Sequence, residues 1–99
     1  MVTYTTQEKY AVINILIQII EADTIIHEKE IEYMNQILSE LSITPRDIEY
    51  IEELDTSHCI NIVKNMAQDK KDYAVNMFRT MISIDNRIDP RELAVINDI

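Results

Sequence analysis

Ninety-nine residues make one domain, able to bury a single core but too small to enclose a large catalytic cavity. The chain has no glycine, two prolines and abundant Ile, Leu, Glu and Met, which withholds the residues of hairpin turns and supplies those helices prefer, so an all-α fold is expected. The net charge of −9 is unevenly placed, with twelve acids against three bases in residues 1–55 and six of each in 56–99, which argues against phosphate-backbone binding by the first half and against a nucleic-acid role.

The chain opens with a helix over residues 6–20 or 21, started by the capping box of Thr5 and Glu8. Its core, YAVINILIQII at residues 10–20, falls short of the roughly 20 apolar residues of a membrane span, so it reads as a buried helix and not an integral membrane segment. No basic region precedes an apolar stretch at the N-terminus and the single cysteine, Cys59, has no internal partner, so a cytoplasmic location is expected.

A second helix is expected from an N-cap at His27 to Leu41, with Ile31, Met34, Leu38 and Leu41 facing inward. Thr44, Pro45 and Asp47 start a third, ending near Leu54, with Ile48, Ile51 and Leu54 apolar. A fourth spans about residues 57–67, and Asp69 with Asp72 opens a fifth that ends near Ile84. Asp89, Pro90 and Glu92 supply the N-cap, first-position proline and third-position acid of a sixth.

Shifting the chain by 62 residues without a gap lays residues 7–37 on 69–99. Lys9 falls on Lys71, Asn14 on Asn76, Asp23 on Asp85, Ile26 on Ile88, Glu30 on Glu92, Asn35 on Asn97 and Ile37 on Ile99. Apolar character matches as well, as with Leu16 and Phe78, Ile20 and Ile82, and Met34 and Ile96. The pattern reads as an internal duplication of a helix–loop–helix unit, giving a bundle of about six helices with a pseudo-twofold axis. The first and fifth helices, apolar around most of their circumference, should be central, leaving polar stripes at Asn14, Gln18 and Glu21 and at Asn76, Thr80 and Ser83. Asn14 and Asn76 read as parts of an exposed stripe slightly more readily than as a buried pair.

Between the helices of each unit lies an acidic loop, EADTIIHEKE at residues 21–30 and SIDNRIDPRE at 83–92. Measured against the calcium loop of an EF-hand, each keeps the Asp of the fifth position and the Glu of the twelfth. The first and third positions are Ile19 and Glu21, or Met81 and Ser83, and the central glycine is Thr24 or Asn86. An apolar residue cannot ligate calcium, which excludes a self-contained EF-hand at either place. A shared site formed by Asp23, Glu30, Asp85 and Glu92 is the metal-binding candidate, because four carboxylates gathered at one end of a bundle either raise a pKa or recruit a divalent cation. The competing reading, and the favoured one on spacing alone, makes each Glu a capping-box acid and each Asp a turn residue.

The repeated pattern, an apolar helix, then (A/I)-D-(T/N)-x-I-x-x-x-E, then an apolar helix, is similar to the TerB-like tellurite-resistance domain, whose hallmark is A-D-G-x-I-x-x-x-E with a related copy in its second half. The resemblance covers nearly the whole chain, the segment LSELSITPRDIEYI included. It implies a single all-α domain over residues 1–99 with internal pseudo-symmetry, acidic residues proposed to bind metal, and a role in bacterial stress systems or as a module of larger proteins; the candidate ion for this chain is a divalent cation, calcium, magnesium or zinc. By position, the family's Asp corresponds to Asp23 and Asp85, and its Glu to Glu30 and Glu92. Thr24 departs from the hallmark glycine, and a β-branched residue resists the left-handed conformation that Asn86 tolerates. The chain ends at Ile99, earlier than the final helix of that family, as a minimal member or a fragment would.

Other chemistry is thin. His58 and Cys59 are neighbours on a helix and point apart, no glycine-rich phosphate loop or serine nucleophile motif is present, and Cys59 reads as a small core residue. Lys64, Lys70, Lys71 and Arg79 read as solubilising side chains before they read as a basic patch. The leading expectation is a non-enzymatic interaction module with a weak metal site, acting on another protein. The alternatives are a metal-dependent hydrolase using the acidic cluster, or a plain helical adaptor whose acidic half docks a basic partner.

Overall fold

The computed structural model describes residues 3–22 and 28–84. Within them the chain is all-α, with no strand, and forms five helices: α1 (Thr6–Ala22), α2 (Glu28–Glu40), α3 (Pro45–Glu52), α4 (Thr56–Lys64) and α5 (Gln68–Ser83). The loop residues Asp23, Thr24 and His27, and the segment from Asp85 onward that holds Asn86, Glu92 and the expected sixth helix, lie outside the described residues. Among those described, no helix is long and apolar enough to cross a membrane.

Local capping sets several of the helix starts. At α1 the Thr5 N–H donates to Glu8 Oε1 at 2.8 Å and the Glu8 N–H to Thr5 Oγ1 at 3.2 Å, the reciprocal box expected from the sequence. At α3 the Thr44 N–H donates to Asp47 Oδ2 at 2.9 Å and the Asp47 N–H returns to Thr44 Oγ1, with Pro45 fixing the first helical φ. Three helix ends differ from expectation. Helix α4 starts at Thr56 because Asp55 accepts from the Ser57 N–H, and it stops at Lys64, short of Ala67, where the Asn65 side chain donates to the Asn61 carbonyl. Helix α5 starts at Gln68 behind Ala67, which makes no side-chain cap. Asp69 therefore lies inside the first turn, where its charge meets the helix dipole instead of capping the end.

The end of α2 shows what a chain without glycine does at a helix C-terminus. The Ile43 N–H donates to the Leu38 carbonyl at 2.9 Å and the Ser42 N–H to the Ser39 carbonyl at 3.2 Å, a Schellman closure. Ser42 takes the left-handed position, φ 57°, that glycine usually holds. The strain of a Cβ there is about 1–2 kcal/mol, and glycine would give back part of it as unfolded-chain entropy. Ser42→Gly is thus expected to raise stability by about 0.5–1 kcal/mol, read as a higher midpoint in thermal unfolding; a lower midpoint would contradict this account of the turn.

α1 is the hub. Ala11, Val12, Ile13, Ile15, Leu16, Ile19 and Ile20 are all buried, and the helix lies against α2, α3, α4 and α5, most extensively against α4. α5 packs on α1 and α4 through Ala74, Met77, Phe78, Met81 and Ile82 while Asn76, Arg79, Thr80 and Ser83 stay exposed. Its polar stripe matches expectation, but its burial is one-sided where that of α1 is nearly complete.

Asn14 corrects the reading of an exposed stripe. Its side chain is 1 % exposed, and Nδ2 donates to the carbonyls of Ile51 at 2.9 Å and Leu54 at 3.3 Å while Oδ1 accepts from Thr56 Oγ1 at 3.1 Å. The Ile51 carbonyl also accepts from the Leu54 N–H at 3.1 Å, so Asn14 adds a second donor there from the middle of α1 and reaches the Leu54 carbonyl beyond the helix end. The side chain thereby pins the α3–α4 corner to the hub.

Helix α2 keeps Met34 inside as expected but is turned part of a residue step about its axis. Its buried row is Glu30, Met34 and Ile37, spaced i, i+4 and i+7, whereas Ile31, expected inside, is 44 % exposed. Leu38 and Leu41 pack at the margin of the core, as do Ile48 and Leu54 around the buried Ile51.

Candidate functional site

Of the four candidate metal carboxylates, the described residues contain one. Glu30 sits in the first turn of α2 and is 1 % exposed, on the same row as Met34 and Ile37. Glutamate is rarely buried so completely, because desolvating a carboxylate is costly unless its surroundings compensate. A helix N-terminus is one such compensation, since the macrodipole favours negative charge in the first turn. Asp23, Asp85 and Glu92 lie outside the described residues, and among the described residues no group of three or more His, Cys, Asp or Glu side chains is placed to hold a metal ion.

The other titratable clusters are satisfied by the fold. Tyr10 donates its hydroxyl to Asp47 Oδ1 at 2.7 Å, and its ring lies 5.5 Å from that of Tyr50, tilted by 54°. The Thr44 backbone N–H, then the hydroxyls of Tyr10 and Thr44, hold the Asp47 carboxyl below its ordinary value. Burial pushes the Tyr4 phenol well above its ordinary value, aided by the neighbouring Tyr73, and its hydroxyl donates to the Lys70 carbonyl at 2.9 Å. Cys59 is buried against the core, where desolvation and then the charge of Asp55 push its thiol up, away from the thiolate that nucleophilic chemistry needs. His58 beside it is exposed.

Of the four basic side chains, one is in an ion pair and two are exposed. Lys70 Nζ is 2.9 Å from Glu8 Oε1, whereas Lys64 and Arg79 are exposed on α4 and α5. Burial pushes the Glu8 carboxyl up, but the Thr5 N–H and Lys70 outweigh it and hold the group below its ordinary value. Under the 62-residue shift Glu8 and Lys70 are equivalent positions, so this ion pair joins a residue to its own counterpart.

Two surface features were not singled out by the sequence. Lys29, Glu32, Tyr33, Asn35, Gln36 and Ser39 line an open groove along α2, and Tyr50 on α3 leaves 57 % of its surface exposed. A helical wheel would have placed the groove residues on one polar side of α2, but nothing in their types marks that side as more than a solvated face.

Compared with protein-family models, with curated proteins and with solved structures, the chain gives no match.

Proposed function

We propose that this chain is a small cytoplasmic module of the TerB-like kind, built by internal duplication, which acts by binding rather than by turnover. A weak divalent-cation site formed by Asp23, Glu30, Asp85 and Glu92 lies at the loop end of the bundle, and the partner is another protein in a stress-response system. The observation that carries this reading is the burial of Glu30. On the core row of α2 its carboxylate is turned away from water, a placement whose desolvation cost a divalent cation would offset.

Two features of the described residues support the duplication. Val12 and Ala74, Ile15 and Met77, Leu16 and Phe78, Ile19 and Met81, and Ile20 and Ile82 are pairs under the 62-residue shift, and both members of each are buried. Glu8 and Lys70 touch each other, as equivalent residues do where a twofold axis passes between two helices. Where the copies diverge, at the buried Asn14 and the exposed Asn76, the cause is the α3–α4 segment, which covers α1.

Carboxylates without a complete ligand set leave coordination positions to water, so affinity should fall at the weak end of calcium sites, about 10⁻⁴ to 10⁻³ M. Titrating the protein with calcium, magnesium and zinc should move amide resonances at both loops, and Asp85→Asn combined with Glu92→Gln should abolish those shifts. If no cation moves a resonance at either loop, the acids are helix punctuation and the metal reading fails.

A further inference from the structure

No further inference is drawn: the strongest candidate, the open groove along α2 lined by Lys29, Glu32, Tyr33, Asn35, Gln36 and Ser39, is an unpartnered helix face, and nothing in the structure shows what covers it.

Discussion

Asn14→Leu is expected to destabilise the protein by about 2–4 kcal/mol, while Asn76→Leu, 62 residues further along, changes stability by less than about 0.5 kcal/mol. Leucine fills a similar volume but cannot donate to the Ile51 and Leu54 carbonyls or accept from Thr56. The Ile51 carbonyl keeps the Leu54 N–H, but the half-buried Leu54 carbonyl and Thr56 hydroxyl lose the partner Asn14 gave them, and a polar group withheld from water without its partner costs more than forming the bond had gained. Asn76 is exposed and has no such duty. At about 4–8 °C per kcal/mol for a domain of this size, the first variant should unfold roughly 10–30 °C lower and the second near the parent. Similar midpoints for the two variants would show that Asn14 does not pin the α3–α4 corner.

Phe78→Ala should cost about 3–5 kcal/mol, the largest effect expected of a single truncation here. Among the described residues Phe78 is the largest fully buried side chain, and it anchors α5 within the core shared with α1 and α4. Its loss removes transfer free energy and leaves a cavity that the surrounding helices fill only in part. Total stability for a domain of 99 residues is about 5–15 kcal/mol, so this one change consumes a large share of it. Denaturant unfolding should show a lower midpoint with an unchanged slope, and Phe78→Leu, which keeps most of the volume, should lose only about 1–1.5 kcal/mol. A loss below about 1 kcal/mol for the alanine variant would place Phe78 at a loosely packed margin instead.

What could be read from the sequence was mainly what neighbouring residues decide among themselves. The boxes of Thr5 with Glu8 and Thr44 with Asp47 involve residues three apart, and both form as their spacing demands. The start of α5 was less legible, because an acid at a helix N-terminus serves the dipole inside the first turn as well as it serves a cap, and Asp69 takes the inside position. Asn14 was illegible for a different reason. Helical periodicity gives the stripe on which a residue lies, but what covers that stripe depends on α3 and α4, nearly forty residues along the chain. The same limit hid the rotation of α2: hydrophobicity favours Ile31 for the interior, and only tertiary packing puts Glu30 there. The candidate site was therefore legible as positions, from the repeated Asp and Glu, but the burial that distinguishes Glu30 from a surface cap was not.

The most direct measurement is to substitute Glu30 and observe residues 85–92 during a calcium titration, which tests whether the two proposed units share a site. If the four carboxylates share one cation, Glu30→Gln weakens binding as sensed by the amides of residues 85–92, reducing their shifts at least several-fold while the fold, monitored by the amides of α4, is unchanged. Undiminished shifts at residues 85–92 in the Glu30→Gln protein, or no shifts in the parent, would contradict a site shared between the two units.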